Sequence, residues 1–229
     1  MKWLKFWIVG LLVFWSGCSF PEQEVRVFSI SFPFGTSDQG WTGDFADYPE
    51  SDSVAYNLFY LYDTLPTNLN AKATIHGLHI SGNNGNTDLF MFIKRKISGL
   101  RPNATYELLF NVRVASNAST ATGQSVSLKA GASIVEPRKE LQAGTYRMNI
   151  DKGNQATDGV DMINIGNIAV NTTTTQYTII TRTNSSENSF TVTTNDAGEL
   201  WLVIGTDSGF VGTTTLYYTQ VDVLFNQLD

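Results

Sequence analysis

Three short runs dense in Asn, Asp and Gly are the places where this chain could meet a polar ligand. They are Ser81-Gly-Asn-Asn-Gly-Asn-Thr-Asp88, Asn149-Ile-Asp-Lys-Gly-Asn-Gln-Ala-Thr-Asp-Gly-Val-Asp161 and Gly205-Thr-Asp-Ser-Gly209. Side-chain amides both donate and accept, as the hydroxyls of a sugar require. Asn84, Asn86, Asp88, Asn154, Gln155 and Asp207 are therefore candidate ligand contacts. Oxygen-rich loops also suit hard cations, and Ca²⁺ takes about six to eight oxygens. Asp151, Asp158 and Asp161, with Gly153 and Gly159 to bend the backbone, are a candidate calcium set, although their spacing is not that of an EF-hand. Trp41, in a Gly-Trp-Thr-Gly-Asp context, is a candidate flat ring for a pyranose face, with a core position as the other reading. Turns themselves call for Asn, Asp and Gly, so each run also reads as a plain turn.

A catalytic reading has less to work with. His76 and His79 lie three apart on a predicted strand, so they point to opposite faces and cannot jointly grip a metal. There is no Gly-x-Ser-x-Gly elbow. Nothing among the 21 acidic residues singles out a facing pair for glycoside hydrolysis. The chain is expected to bind rather than catalyse, with a glycan-active enzyme as the weaker alternative.

The elements that must position these loops are strands. Alternation at period two recurs along the chain between Gly/Asn/Asp/Ser turns. It is clearest at Thr105–Ser116, where Tyr106, Leu108, Phe110, Val112 and Val114 share one face. Further strands are predicted over Glu24–Phe32, Lys72–Ser81, Asp88–Ser98, Ser125–Ala132, Met162–Val170, Tyr177–Thr183, Ser189–Thr194, Glu199–Gly205 and Thr213–Phe225. Trp201 alternates with Leu200 and Leu202 and reads as core. Residues 35–70 read as long loops with short pieces of structure, and Asn171–Thr175 as a solvated turn. This pattern predicts one all-β domain over residues 24–229, a two-sheet antiparallel β-sandwich of jelly-roll type.

Residues 1–17 have the three parts of an export signal: Lys2 and Lys5, an apolar run from Phe6 to Trp15, and the small pair Ser16-Gly17. The run is about half the ~20 residues that a spanning helix needs. Without Lys2 and Lys5, 13 basic residues face 21 acidic ones, a formal charge of −8. No basic stripe remains, which argues against nucleic acid as a partner. Cys18 is the sole cysteine, so no internal disulfide is available.

Trp15-Ser-Gly-Cys18 resembles the bacterial lipobox, departing from it at Trp15. The resemblance implies cleavage before Cys18 and lipidation of that residue, with residues 18–23 as a short tether to the membrane. Ser19, rather than Asp, resembles the outer-membrane sorting pattern. The expected location is therefore the bacterial cell envelope, lipid-anchored in the outer membrane.

Ile97-Ser-Gly-Leu-Arg-Pro-Asn-Ala-Thr-Tyr-Glu-Leu-Leu-Phe110 is similar to a signature shared by fibronectin type III domains and the carbohydrate-binding jelly rolls of the galactose-binding-like superfamily. Phe34–Trp41 resembles the opening element of the jelly rolls, and Thr213–Phe225 their closing strand. The resemblance implies carbohydrate binding. The structural calcium of those modules is put in doubt by Gly35 after Phe34 and by Thr219-Gln220 at the paired-aspartate positions. Asp88–Phe92, Asn149–Gln155 and Gly205–Phe210 also resemble a lipoprotein family that brings no activity with it. The expected partners are the membrane, through the N-terminal lipid, and a glycan. The alternative is a surface protein, for which the chain would be an accessory or adhesin subunit.

Overall fold

The computed structural model describes residues 26–71, 74–86, 88–171 and 175–229. The export signal, Cys18 and the tether lie outside the described residues, as do Glu24, Lys72 and most of the 171–175 turn. The chain runs β1 (Val27–Pro33), β2 (Thr42–Ala46), β3 (Tyr48–Pro49), β4 (Phe59–Thr64), β5 (His76–Asn84), β6 (Leu89–Ile97) and β7 (Thr105–Ser116). After one helical turn, α1 (Thr120–Gly123), come β8 (Val126–Ser133), β9 (Lys139–Gln142), β10 (Thr145–Met148) and β11 (Met162–Asn167). β12 (Thr178–Thr183), β13 (Phe190–Thr193), β14 (Leu200–Ser208) and β15 (Gly212–Gln227) complete it.

Two antiparallel sheets form the sandwich. The first has the order β12-β7-β15-β5-β4, with β1 also on β15 and β13 also on β7. The second has the order β11-β8-β14-β6-β2, and a small third sheet, β3-β10-β9, stands apart. All the predicted strands are present, with ends shifted by a few residues. The stretch read as loops contributes β2, β3 and β4, and β9 and β10 were not anticipated. These five strands are two to six residues long, too short to set up a readable alternation.

The predicted face of β7 is the core face: Tyr106, Leu108, Phe110, Val112 and Val114 are all buried. β15 packs along the full length of β7 and changes parity midway. Leu216 and Tyr218 point inward, then Val221, Val223 and Phe225 do so, because the register slips by one between Tyr218 and Gln220. A one-residue bulge is what lets a strand of 16 residues keep its apolar side inward while it twists. From the second sheet, Leu89, Met91, Ile93, Leu128, Ala130, Leu202 and Ile204 meet this layer.

The second sheet is buried on its other face too. Phe90, Phe92 and Val203 alternate with the inward residues of β6 and β14, and they pack with Ala46, Ile150 and Met162 in a separate apolar cluster. Ile150 belongs to the 149–161 loop, which lies over this face. The strands of one sheet thus have a dry inter-sheet side and a second side roofed by loop.

Candidate functional site

The roof over the second sheet contains a strongly charged buried group. Its backbone is knotted by its own aspartates. Asp151 accepts hydrogen bonds from the amides of Gly153 (3.0 Å) and Val160 (3.0 Å). Asp161 accepts from the Asp151 amide (2.8 Å), and Asp158 from the Asn164 amide (2.6 Å). The two glycines are required by space: a Cβ on Gly153 would lie 2.2 Å from the Thr157 carbonyl, and one on Gly159 would lie 2.2 Å from the Gly153 amide nitrogen. Gly153 also has φ of +69°, a region that glycine enters without strain. The Val160 and Gly153 amides hold the Asp151 carboxyl below its ordinary value.

This knot aims Lys152 inward. Its Nζ lies 2.6 Å from Asp207 Oδ2 on β14 and 3.0 Å from Asp47 Oδ2 in the β2–β3 connection. It also sits 5.0 Å from the centroid of the Phe90 ring. Side-chain exposure is 9% for Lys152, 5% for Asp47 and 0% for Asp207, so water does little to screen the group. Burial works against the lysine charge, but Asp207 and Asp47 overcome it and hold Lys152 above its ordinary value. Burial raises Asp47 despite the opposing pull of Lys152. Asp47 also has φ of +62°, a conformation that Asp tolerates better than most residues. Close by, the Lys129 ammonium is held by the carbonyls of Gln155 (2.8 Å) and Thr157 (2.7 Å), and burial lowers its pKa.

Above this layer opens a concavity of about 440 Å³, lined by Asp47, Asp88, Arg147, Asp151, Lys152 and Asn154 among others. Arg147 spans its rim, 2.7 Å from Asp88 and 3.5 Å from Asp47. The hydrogen bond to Asp88 leads the effects that hold the guanidinium above its ordinary value. The concavity therefore presents carboxylate acceptors, a guanidinium fork, an amide and backbone groups over an apolar floor of Met148 and Ile150. Such a set can bind a neutral polyhydroxylated ligand.

Asp88 and Asn154, from two separate runs, meet at this concavity, together with Asp151 of the expected cation set. Asn86 and Gln155 lie off its lining. Asn86 is an exposed turn residue whose amide bonds Asn84, and Gln155 anchors Asp207 through its backbone amide (2.9 Å).

Five expectations are corrected. Trp41 is not an exposed platform: it is 2% exposed and meets Phe32 and Phe34 edge-on, at centroid distances of 5.4 and 6.1 Å. The opening element is a core aromatic cluster. Asn84 is 1% exposed; its amide donates to the carbonyls of Ser208 and Phe210, and its oxygen accepts from the amides of Asn86 and Asp88. It clamps two loops and has no free group for a ligand. Asp207 lies under the concavity, shielded by Lys152. The three aspartates 151, 158 and 161 do not converge: among the described residues no three His, Cys, Asp or Glu groups cluster to hold a metal ion, because these carboxylates close their own loop. Trp201, read as core, is instead half-buried, with the Lys94 ammonium 5.5 Å from its ring.

Arg147 and Lys152 were missed in the sequence. Lys152 carried a signal, as the lone cation in an acidic, glycine-rich run; Arg147 carried none. The histidines point as predicted. His76 stacks on Tyr62 at 5.0 Å, and His79 lies between Phe59 and Tyr217 on the opposite face, 3.3 Å from Asp63. Among the described residues no helix is long and apolar enough to cross a membrane.

No family model and no curated protein match the chain. Solved structures with a similar arrangement include a carbohydrate-binding module with specific mannan recognition, at 10% identity and a TM-score of 0.39, with 87% of this chain and 98% of that one covered. A protein from Bacteroides thetaiotaomicron named as sugar-binding is 13% identical, with a TM-score of 0.38 over 77% and 86% of the chains. The K3 cleaved adhesin domain of Lys-gingipain from Porphyromonas gingivalis is 10% identical, with a TM-score of 0.37 over 86% and 98%. At these values the likeness carries no argument about site or ligand. The chain is an antiparallel β-sandwich on the strength of its own strand pairing.

Proposed function

We propose that the protein is a lipid-anchored envelope lipoprotein whose sandwich captures a neutral extracytoplasmic glycan in the concavity over its second sheet. The observation that carries this reading is the meeting of Asp88, Arg147, Asp151 and Asn154, distant in sequence, at one polar concavity. Capture fits better than turnover, since both Asp47 and Asp88 are tied to Arg147. In this reading Cys18 carries the lipid and faces the outer membrane. Each buried CH₂ contributes about 0.8 kcal/mol, so several acyl chains on one residue anchor durably. A six-residue tether reaches on the order of 20 Å, and the ligand must come to the membrane surface. A calcium ion has no part in this reading of the concavity.

The test is a glycan array followed by titration calorimetry on residues 19–229, with Asn154→Ala as the control. A polysaccharide bound by the wild type and weakened tenfold or more by Asn154→Ala is expected, with folding unchanged. Silence across plant, algal and bacterial polysaccharides would sink the reading. A second reading, an accessory or adhesin subunit, is favoured by one feature: Phe59 (41% exposed) and Leu61 (49%) project from the edge strand β4. Its mark is a protein crosslinked to this strand in intact membranes.

A further inference from the structure

We propose that Lys152 and Asp207 become joined by an amide bond inside the folded domain, with the Asp47 carboxyl as proton relay. The three groups have the arrangement that this condensation needs. The Lys152 Nζ lies 2.6 Å from Asp207 Oδ2 and 3.0 Å from Asp47 Oδ2. The Gln155 amide donates to the same Asp207 oxygen (2.9 Å), where it stabilises charge on that oxygen as the C–O bond breaks. Asp207 Oδ1 is buried with no hydrogen-bond partner and stays as the amide oxygen, so Oδ2, which takes the proton from Lys152, is the oxygen that departs. Phe90, Phe92 and Val203 line the same side of the sheet, and Asp207 is fully buried, which limits the water that would reverse the reaction.

The step balances without oxidant or cofactor. The ammonium first passes one proton to Asp207 along the 2.6 Å contact, giving an amine beside a carboxylic acid. The amine lone pair adds to the Asp207 carboxyl carbon and a C–N bond forms. The second proton leaves nitrogen, passes through Asp47 and reaches the departing hydroxyl. The C–O bond breaks and water is released, so ammonium plus carboxylate becomes amide plus water. Burial holds Asp47 above the ordinary carboxyl value, which suits a group that keeps a proton between transfers. Lys152 is held charged by its carboxylates against the effect of burial. The neutral pair is therefore the minor form, and bond formation is a slow maturation after folding.

The consequence is mechanical. A chain with a single cysteine has no internal disulfide to tie its roof down. An amide from the 149–161 loop to β14 would staple the floor of the concavity to the middle of the second sheet, closing a long loop of chain.

The experiment is peptide mapping of the full chain, purified in detergent, denatured and digested with trypsin. An unmodified Lys152 gives peptides 148–152, 153–182 and 183–229. The linked chain resists cleavage at Lys152 and gives 148–182 joined to 183–229, lighter by one water than the two peptides together. Lys152→Arg keeps the positive charge but lacks a nucleophilic amine. It is expected to fold without the link and to melt about 10 °C lower. Asp207→Asn is expected to give the same linked mass, releasing ammonia in place of water, and Asp47→Asn to leave the chain unlinked. Complete cleavage of the mature wild type into separate peptides would overturn the proposal. So would a linked species that persists in Lys152→Arg.

Discussion

The two faces of the second sheet are built from the same strands and solve opposite problems. On the inter-sheet face, Leu89, Met91 and Ile93 of β6 and Leu202 and Ile204 of β14 join a continuous apolar core. On the other face of those strands, Phe90, Phe92 and Val203 form a small cluster, and Asp207 and the β8 residue Lys129, both fully buried, introduce charge. The first face gains by removing apolar area from water, roughly 25 cal/mol per Å², and any residue of the right size serves. The second face is held by specific partners, and its charges are tolerable only as a set. Buried ion pairs contribute little net stability, but removing one member leaves an uncompensated charge. The comparison teaches that stability resides mainly between the sheets, while geometry is specified at the roof.

Replacing a large core side chain should have the largest effect. Trp41→Ala is expected to cost up to about 5 kcal/mol by cavity formation, read from urea unfolding. A loss below 1 kcal/mol would mean that the Phe32–Phe34–Trp41 cluster does not belong to the core that dominates stability. Lys152→Met should cost about 3 kcal/mol or more, because it leaves Asp47 and Asp207 buried without their cation and removes the proposed link. If it is as stable as the wild type, the roof is not coupled to folding and the contrast between the faces fails. Asp151→Asn should have the smallest effect, a loss of stability that is present near neutral pH and disappears in acid. Since the native Asp151 carboxyl is held below its unfolded value by the Val160 and Gly153 amides, its stabilisation is present above the unfolded value and lost as pH falls through the folded one. Melting curves from pH 6 down to about pH 2 should therefore fall less steeply for Asp151→Asn. Identical acid limbs would break the assignment of Asp151 as the knot of the roof.

Sequence reading recovered the parts governed by repetition. The period-two pattern of β7 located its buried face residue by residue, because both core-facing and solvent-facing positions are sampled many times in 12 residues. It failed where a strand is buried on both sides. Trp201 alternates with Leu200 and Leu202, yet it lies on the roofed face beside Lys94, and a continuous apolar run does not reveal which side a given residue takes. The candidate site was legible in halves. Asn, Asp and Gly density marked the loops, but the same composition serves ligands, cations and turns, so Asn84 and the three aspartates could not be separated from Asp88 and Asn154.

What the sequence determined by itself was the all-β architecture and the acidic balance of the chain, since each follows from local pattern or a sum over residues. Only the tertiary structure decided that Trp41 is core, that Asp158 closes a loop, and that Lys152 meets Asp47 and Asp207. The meeting of Lys152 with Asp47 and Asp207 depends on residues brought together across 55 or more positions of chain, and on burial, which makes a charge harmless in water and decisive in a dry layer. No local spacing encodes either quantity.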